Sequence, residues 1–361
     1  MILLNPGPVS MTPRVRAALA GEDLCHREPE CNAMLRDIRH RLNHVYSDSH
    51  DRFESILLTG SGTAAVEAML ATLAPRESRT LVLCNGVYGE RMAGMLNRQG
   101  KPVETLTHSW TSPWDLKAIE TLLDQTPTIT HLAAVHHETT TGRLNDLVGL
   151  SKMADRRGLK ILLDAVSSFA GEEIAWRPGS LEAVAATANK CVHGAPGVSF
   201  VLVDKSRLAT GSSQSPSLYL DLLIHHAAQS AESSAFTPAV HVYRALQVAL
   251  MELEETGGWR QRHARYRHLS LTLREHLVQH GLSPLIPIHD SAATLTSFSL
   301  PPAINHRVWH EHLKRHGFVI YGGQGELAEK VFRIANMGAI TDADWQRLFD
   351  VIKNQLQKSH P

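Results

Sequence analysis

Two charged side chains in the middle of the chain have the surroundings that covalent chemistry on an amine requires. Lys190 lies in the run Ala186-Thr-Ala-Asn-Lys-Cys-Val-His-Gly, among small residues and hydroxyls. Such confinement disfavours the ammonium form, lowers the lysine pKa and frees the amine as a nucleophile. Asp164 ends the apolar run Ile161-Leu-Leu, and a buried carboxylate there needs a donor or a cation such as a protonated pyridine nitrogen. A surface lysine and a turn-capping aspartate are the alternatives.

A third feature is a possible anion cradle between a predicted strand and a predicted helix. The segment Leu58-Thr-Gly-Ser-Gly-Thr brackets Ser61 with glycines and places Thr63 at the start of the helix. Backbone N–H groups at a helix N-terminus, together with hydroxyl side chains, suit a phosphate group. No Gly-Lys-Ser/Thr follows, so the segment is not a nucleotide-binding P-loop. An ordinary capped turn is the alternative interpretation.

The elements that position these residues follow from hydrophobic periodicity. Between about residues 50 and 205, short apolar runs alternate with amphipathic stretches of helical length, a pattern typical of an α/β fold with a parallel sheet covered on both faces. Ligands of such sheets bind at the carboxyl ends of the strands. The predicted strands are Ser55–Thr59, Thr80–Cys84, Ile129–Val135, Lys160–Ala165 and Val198–Val203, and the predicted helices include Thr63–Leu73 and Tyr88–Arg98.

After about residue 255 the pattern changes, which predicts a smaller C-terminal α+β domain. We therefore divide the chain into an N-terminal segment (1–15), a large ligand-binding domain (16–250) and a small domain (251–361). The elements predicted in the small domain are a helix at His263–His280, a strand at Ala293–Ser299, a helix at Arg307–His316, strands at Phe318–Tyr321 and Val331–Ala335, and a helix from Asp342.

Composition narrows the class of ligand. The 361 residues include 36 basic and 36 acidic side chains, so net charge draws the chain neither to nucleic acid nor to an anionic membrane. No apolar run approaches the roughly 20 residues that cross a bilayer, and the N-terminus shows no basic leader. Four cysteines without CxxC spacing indicate neither a zinc site nor a disulfide scaffold. We expect a cytoplasmic protein whose partners are small molecules.

A metal site at His136, His137 and Glu138 is not expected, although three potential ligands are adjacent there. Successive residues of a strand point to opposite faces, so these side chains do not easily converge on one ion. We interpret them as a strand end beside the ligand site.

Eight motifs that follow one another in fixed order identify a family. They are Pro6-Gly-Pro, Ser61-Gly-Thr, Asn85-Gly-Val-Tyr-Gly-Glu-Arg, His137-Glu-Thr-Thr-Thr-Gly, Asp164-Ala-Val-Ser-Ser-Phe, Asn189-Lys, Phe236-Thr-Pro and Phe332-Arg-Ile-Ala-Asn-Met-Gly. This set resembles the class V aminotransferases of pyridoxal-phosphate (PLP) fold type I, from residue 3 to beyond residue 338. The resemblance implies a mainly parallel seven-stranded sheet, PLP as cofactor, and a homodimer with shared active sites.

The resemblance also implies roles for individual residues. Lys190 is expected to hold PLP as a Schiff base and, once released, to move the proton between the substrate carbon and the cofactor. Asp164 is expected to keep the pyridine nitrogen protonated, and Tyr88 to stack on the ring. The remaining implied cofactor contacts are Ser61, Gly62, Thr63 and Asn189 at the phosphate, Thr237 from the neighbouring subunit, and Thr139 near the phenolic oxygen.

Two arginines are candidates for binding the substrate anion. Arg333 matches the family arginine that holds this anion, and its planar fork suits carboxylate or phosphonate oxygens. A strand-end arginine in a surface ion pair is the alternative. Arg27, in the segment Cys25-His-Arg-Glu-Pro-Glu, is a second candidate, for which helix capping or a local ion pair is an equally good interpretation.

Within the class, the sequence is most similar to 2-aminoethylphosphonate:pyruvate transaminases, which share its Glu-Thr-Thr-Thr-Gly, Phe-Thr-Pro and Gly-Phe-Val-Ile-Tyr segments. The expected reaction moves the amino group of the phosphonate to pyruvate, giving phosphonoacetaldehyde and alanine. Two departures, the Cys25-His-Arg segment and Ser233-Ser-Ala before Phe236, keep serine or alanine:glyoxylate (or pyruvate) aminotransferase as the alternative. A class V lyase is a third reading, but no cysteine lies in an obvious mobile loop.

Overall fold

The computed structural model describes residues 1–176, 179–301 and 305–359, with side chains to residue 356. Its strands, in chain order, are β1 (Ile2–Leu3), β2 (Phe53–Thr59), β3 (Arg79–Cys84), β4 (Val103–Thr107), β5 (Ile129–Val135), β6 (His137–Glu138), β7 (Arg143–Leu144), β8 (Lys160–Asp164), β9 (Leu181–Thr187), β10 (Val198–Asp204), β11 (Leu295–Ser299), β12 (Phe318–Val319), β13 (Tyr321–Gly322) and β14 (Val331–Ala335).

The helices cover both faces of the main sheet and pack around the C-terminal strands. In chain order they are α1 (Pro13–Ala18), α2 (Pro29–His44), α3 (Gly62–Leu73), α4 (Val87–Arg98), α5 (Leu116–Gln125), α6 (Leu147–Arg156), α7 (Lys205–Leu208), α8 (Leu222–Ser230), α9 (Val240–Glu255), α10 (Gly258–Gln279), α11 (His306–Arg315) and α12 (Asp342–Ser359). None of the described helices is both long enough and apolar enough to span a membrane.

Within the described residues, seven strands form the main sheet in the order β2-β10-β9-β8-β5-β3-β4. Strand β10 runs antiparallel to both of its neighbours, and the other pairs are parallel. This confirms the predicted α/β fold with a mainly parallel seven-stranded sheet. Strands β4 and β9 were not predicted: β4 has a half-exposed, polar sequence, and β9 is rich in alanine, which has weak strand propensity.

The buried faces of the sheet follow the two-residue period of its strands. Leu132 and Leu163 pack with Ile38 of α2 in one apolar cluster, whereas Ala133 and Leu162 pack with the α3 side in another. Each strand of this sheet thus supplies alternate residues to two cores. The sheet is fixed on both faces, which holds the loops at its edges in place.

The C-terminal region has a core of its own. Strands β11, β14 and β13 form an antiparallel sheet, and Leu4 from the N-terminus is buried with the residues of this core. The single strand predicted at Phe318–Tyr321 was wrong, because β12 pairs with β1 whereas β13 pairs with β14. The chain changes sheets at the buried Ile320. The division at residues 15 and 250 stays a prediction.

Candidate active site

The residues singled out from the sequence meet at one edge of the main sheet. Strands β2 and β9 run in the same direction as β8, because each is antiparallel to the β10 strand between them. Their carboxyl ends therefore lie on the same edge as that of β8. Ser61 follows β2, Asp164 ends β8, and Lys190 follows β9. Topology thus brings together residues that are up to 129 positions apart in the chain.

Asp164 is a buried carboxyl with few partners. Its side chain accepts one hydrogen bond from the described residues, from the Val166 N–H to Oδ1 at 2.9 Å. Burial raises the pKa of Asp164 to about 6, although this bond and the positive charges of Lys190 and Arg91 oppose the rise. A carboxylate in this setting is stabilised by a cationic donor, and its Oδ2 oxygen has no hydrogen-bond donor among the described residues.

Lys190 lies half-buried in the loop between β9 and β10. Its Nζ makes no hydrogen bond to the described residues. Burial lowers the pKa of Lys190 to about 8, against the opposing effects of Cys191 and Asp164, and the charges of Arg333 and Arg91 lower it further. A neutral, nucleophilic amine is therefore present in quantity just above neutral pH. The predicted confinement of this lysine is confirmed in this respect.

One cleft joins the start of α3, the start of α4 and the end of β8. Its lining residues include Gly62, Thr63, Tyr88, Arg91 and Asp164. Gly62 must be small, because a Cβ there would lie 2.8 Å from Cγ1 of Val166. The predicted cofactor contacts from α3 and α4 therefore face the same space as the carboxyl.

The first turn of α3 is available to an anion. Ser61 is the N-cap residue by position, but its side chain makes no capping hydrogen bond and is exposed. The capped-turn alternative is therefore not what the structure shows for this hydroxyl. The N-terminus of a helix attracts negative charge through its N–H groups and its dipole.

Asn189 and Thr139 complete the set of predicted cofactor contacts that lie near Lys190 and Arg333. Asn189 accepts a hydrogen bond from Thr187 Oγ1 at 2.8 Å, which leaves its amide group for other partners. Thr139 is fully buried, yet its hydroxyl has no hydrogen-bond partner among the described residues. Buried hydroxyls are normally paired, so this orphan group is suited to a ligand.

Arg333 is almost fully buried on β14, and its guanidinium donates hydrogen bonds to two backbone carbonyls. Its Nε donates to the carbonyl of Gly322 at 2.8 Å and its Nη1 to the carbonyl of Thr139 at 3.0 Å. Its guanidinium lies 6.0 Å from the ring centre of Tyr321, its cross-strand neighbour. The surface ion-pair alternative is wrong, since no carboxylate of the described residues pairs with it and only 1% of the residue is exposed.

Two predicted site residues lie apart from this edge in the single chain. Arg27 is exposed before α2 and makes no hydrogen bond or ion pair with the described residues. The structure of the single chain therefore shows no contact that favours either an anion-binding role or a helix-capping or ion-pair role. Thr237 is exposed beside Phe236 in a shallow pocket that Tyr219 and Tyr243 also line. An exposed Thr237 is what a contact to a neighbouring subunit requires.

Glu138 is a site residue that the sequence analysis did not assign. It is fully buried and accepts the backbone N–H groups of Tyr88 at 3.2 Å and Thr140 at 3.0 Å. Burial raises the pKa of Glu138 to about 7. Its carboxyl fixes the first turn of α4 and the β6 hairpin relative to each other. Only its position after an apolar strand could have pointed to it, and the same signal occurs at many ordinary strand ends.

Arg91 is a second unassigned residue. Its guanidinium lies 4.8 Å from the ring centre of Tyr88, and Nη1 approaches Thr63 Oγ1 at 3.4 Å. Residues three apart on a helix share a face, so its spacing from Tyr88 was a usable signal. Arg91 adds positive charge to the cleft at the end where the α3 N-terminus lies.

These features fit a cofactor that carries a phosphate, an aromatic ring and an aldehyde. The helix N-terminus with Arg91 suits the phosphate, Tyr88 offers a ring face, and the orphan Thr139 hydroxyl and the single-donor Asp164 offer polar partners. Within the described residues, no group of three His, Cys, Asp or Glu side chains is arranged to hold a metal ion.

Comparison with known proteins agrees with this geometry. The family model "Aminotransferase class-V" matches residues 17–337. A 2-aminoethylphosphonate–pyruvate transaminase of Bacillus mycoides is 36% identical over 357 residues, which cover 97% of this chain and 96% of that protein. The residues that the family model matches include Ser61, Asp164, Lys190 and Arg333.

Two further relatives frame the similarity. A bifunctional phosphonoacetaldehyde hydrolase/aminoethylphosphonate transaminase of Clostridioides difficile is 34% identical over 362 residues, and this chain spans 56% of its length. The crystal structure of an alanine–glyoxylate aminotransferase from Nostoc superposes with a TM-score of 0.90 at 26% identity, over 99% of this chain and 95% of the other. These neighbours confirm PLP fold type I.

Proposed function

The chain belongs to the class V aminotransferase family, and we propose that it transfers the amino group of 2-aminoethylphosphonate to pyruvate. The products are phosphonoacetaldehyde and alanine. The observation that carries the choice of substrate is the 36% identity to the Bacillus mycoides enzyme over nearly the full length of both chains. The observation that carries the reaction type is that Lys190 and the buried carboxyl of Asp164 lie at the same edge of the main sheet, at the carboxyl ends of the neighbouring parallel strands β9 and β8.

The cofactor of the family is pyridoxal phosphate, which when bound supplies an aldehyde that condenses with amines and a ring that accepts an electron pair. Lys190 is the residue that attaches it, because its pKa of about 8 leaves a neutral amine available. The same amine then takes up and returns the proton at the substrate carbon, as a positioned base of this pKa can do near neutral pH. Asp164 would accept a hydrogen bond from the ring nitrogen of the cofactor, which would keep its side chain a carboxylate.

The contacts that orient the cofactor come from three elements. Tyr88 on α4 would pack against the cofactor ring, and its backbone N–H is held by the Glu138 carboxyl. Thr139 contributes its unpartnered hydroxyl. The phosphate contacts that we propose are Ser61, Gly62, Thr63 and Asn189. With these residues, the α3 N-terminus would hold the cofactor phosphate and Lys190 would attach the aldehyde.

Arg333 binds the anion of each substrate in turn. Its Nε and Nη1 are occupied by backbone carbonyls, which fixes the plane of the guanidinium, while Nη2 makes no hydrogen bond to the described residues. A rigid guanidinium suits both a phosphonate and a carboxylate. One site thus serves the donor in the first half-reaction and the 2-oxo acid in the second, and ping-pong kinetics follow.

We further propose a homodimer in which Thr237 of one subunit reaches the cofactor phosphate of the other. The support is the exposure of Thr237 in a pocket of mixed polar and apolar lining. Arg27 is proposed as a second anion contact that such an assembly brings to the site, since it is exposed and unpaired in the single chain. A cytoplasmic location is proposed on the basis of Cys25, Cys31, Cys84 and Cys191, all of which are unpaired.

The proposal is tested with a panel of amino donors. The purified protein is loaded with pyridoxal phosphate and given pyruvate with 2-aminoethylphosphonate, serine or alanine, and alanine and aldehyde formation are measured. We expect the highest kcat/KM with 2-aminoethylphosphonate. Turnover of serine without turnover of the phosphonate would overturn the choice of substrate while leaving the reaction type intact.

An alanine or serine:glyoxylate aminotransferase is the second candidate. It is favoured by the TM-score of 0.90 to the Nostoc enzyme at 26% identity and by the His-Arg pair at His26 and Arg27. The same panel with glyoxylate in place of pyruvate separates the two, because this candidate requires glyoxylate to be consumed with alanine or serine as donor.

A further inference from the structure

The N-terminal residues are hydrogen-bonded to the C-terminal part of the chain at two places. The N–H groups of Ile2 and Leu4 donate to carbonyls at Gly317 and Val319, at 2.7 and 2.8 Å, and Leu4 is buried in the C-terminal core. Further along, the Ala339 N–H donates to the Ser10 carbonyl at 2.7 Å. Both ends of segment 2–10 are therefore fixed to residues 317–339.

Between these two attachments the chain forms a loop, which is closed by a hydrogen bond from Asn5 Nδ2 to the Pro8 carbonyl at 2.8 Å. At its tip, Gly7 has φ +132°, a conformation that residues with a Cβ rarely adopt. An L side chain at position 7 would place its Cβ 2.7 Å from both Cδ and Cε of Lys190 and 3.1 Å from Nζ. A residue with a Cβ at position 7 would therefore strain the backbone and displace the end of the flexible Lys190 side chain.

The loop is also linked to the residue that binds the substrate anion. The N–H of Ala335, two residues after Arg333 on β14, donates to the Leu4 carbonyl at 2.8 Å. One hydrogen bond thus connects the strand that carries Arg333 to Leu4, three residues before Gly7. Lys190 Nζ has no hydrogen bond to the described residues, so contacts along its aliphatic chain have a large share in fixing where the amine lies.

We infer that Gly7 is a positioning residue for Lys190: its backbone forms one wall of the space in which the amine moves, and the absence of a side chain leaves the room for that movement. This inference rests on the proposed role of Lys190. Because the wall is carried by the strands that also carry Arg333, the position of the amine and the position of the anion site are set by the same element.

The test compares Gly7→Ala with Gly158→Ala in the cofactor-loaded protein. Gly158 also has a positive φ, but its +66° lies in the left-handed region that alanine can adopt at modest cost, and a Cβ there meets nothing within 4 Å. It is therefore the control for a Gly→Ala change that adds no contact. We expect kcat of Gly7→Ala to fall about a hundredfold, the effect of a misplacement of about 1 Å, with KM for pyruvate changed less than about threefold. Gly158→Ala is expected to keep the parent kcat.

A spectroscopic measurement makes the test independent of turnover. The added methyl group excludes water from the Lys190 nitrogen and disfavours its protonated form, so the pH at which the visible absorbance of the bound cofactor changes is expected to move to lower pH in Gly7→Ala alone. An unshifted pH midpoint with parent kcat, or equal losses in Gly7→Ala and Gly158→Ala, would overturn the inference. A wrong amino donor leaves this measurement unaffected, which separates the two failures.

A second variant covers the case in which Gly7→Ala does not fold. Asn5→Ala removes the bond that closes the loop without adding an atom beside Lys190. We expect about tenfold lower kcat, since about one hydrogen bond of restraint is lost, and a pH midpoint that differs from the parent. Parent values of both in a folded Asn5→Ala protein would overturn the inference.

Discussion

The main sheet and the small C-terminal sheet both bury a charge at the site, but they stabilise it in different ways. At the edge of the main sheet, Asp164 has one hydrogen-bond donor and Lys190 has no hydrogen-bond partner for Nζ among the described residues, and burial moves both pKa values towards neutrality. In the small sheet, Arg333 is held by two backbone carbonyls. The main sheet therefore presents two groups that can exchange protons near neutral pH, whereas the small sheet presents a guanidinium held in a fixed position.

The difference corresponds to what each region has to do. A group that exchanges protons and forms bonds needs a pKa near the working pH, which incomplete pairing in a buried place provides. A group that only binds an anion must stay charged and in a fixed plane. The guanidinium meets this need because it remains protonated in proteins, even though burial lowers the pKa of Arg333.

The largest expected effect is that of Lys190→Ala, which removes the reactive group of the main sheet. We expect transamination to fall at least about 10⁴-fold, because nucleophile and base are lost together. Borohydride reduction of the loaded parent protein should label Lys190, as peptide mass mapping can show. Lys160→Ala, at the exposed start of β8, is the control. A label on another lysine would refute the assignment.

Asp164→Asn tests whether the incomplete hydrogen bonding of the Asp164 carboxyl lowers the stability of the protein while supporting its activity. Breaking a buried charged pair costs about 3 kcal/mol, so we expect kcat to fall about a hundredfold. Although the substitution lowers kcat, we expect it to stabilise the apoprotein at neutral pH. Because the folded pKa of about 6 exceeds 3.8, the parent apoprotein loses stability as pH rises from about 4 to 6, whereas the asparagine variant does not.

At pH 7.5 the Asp164→Asn apoprotein is therefore expected to be more stable by on the order of 2–3 kcal/mol, as urea unfolding measures. Asp204→Asn is the matched control with the opposite sign. Asp204 is also buried, but hydrogen bonds from Ser206 and Arg52 keep its pKa below the ordinary value, so its replacement should destabilise the protein. A less stable Asp164→Asn apoprotein would contradict the comparison.

Arg333→Lys tests the small sheet. Lysine keeps the charge but lacks the planar guanidinium. It therefore cannot donate to the carbonyls of Gly322 and Thr139 while also presenting a fixed donor to the substrate. We expect KM for pyruvate and for the phosphonate to rise about thirtyfold, equivalent to about 2 kcal/mol of charge-assisted hydrogen bonding. Arg307→Lys, which is exposed on α11, should leave both KM values unchanged. A fall in kcat alone would argue against an anion-binding role.

Glu138→Gln is expected to have the smallest effect. The amide has one acceptor oxygen instead of two, so one of the bonds from the N–H groups of Tyr88 and Thr140 is lost. A loss of about 1 kcal/mol predicts roughly five- to tenfold weaker binding of pyridoxal phosphate, measured by titration of the apoprotein. Glu77→Gln, exposed after α3, is the control, and equal affinities of the two variants would contradict the positioning role.

Much of the main domain could be predicted because its signals are local. The runs at Ile129–Val135 and Val198–Val203 have the apolar, β-branched composition of covered strands, and the structure reproduces them to within a residue. The alanine-rich β9 was missed, since only its neighbours β8 and β10 make it a strand. The split between β12 and β13 was missed because pairing partners decide it, and no local pattern encodes them.

The site shows the same division. Asp164, Lys190 and the α3 start were predictable because each follows a recognisable strand or motif. Glu138, Arg91 and Gly7 were not assigned, because their roles depend on contacts with residues distant in sequence: Glu138 with Tyr88, Arg91 with Thr63, and Gly7 with Lys190.

The sequence by itself determined the fold class and the family, and it predicted Lys190 as the reactive lysine with Asp164 as its acidic partner, because residue type and spacing along the chain encode local structure and chemistry. Only the tertiary structure decided that the N-terminal loop lies on Lys190 and that Glu138 fixes Tyr88. Only it decided how Arg333 is held. The physical reason is that burial, pKa and hydrogen-bond pairing are properties of what surrounds a group in space, and those surroundings come from parts of the chain far apart in sequence.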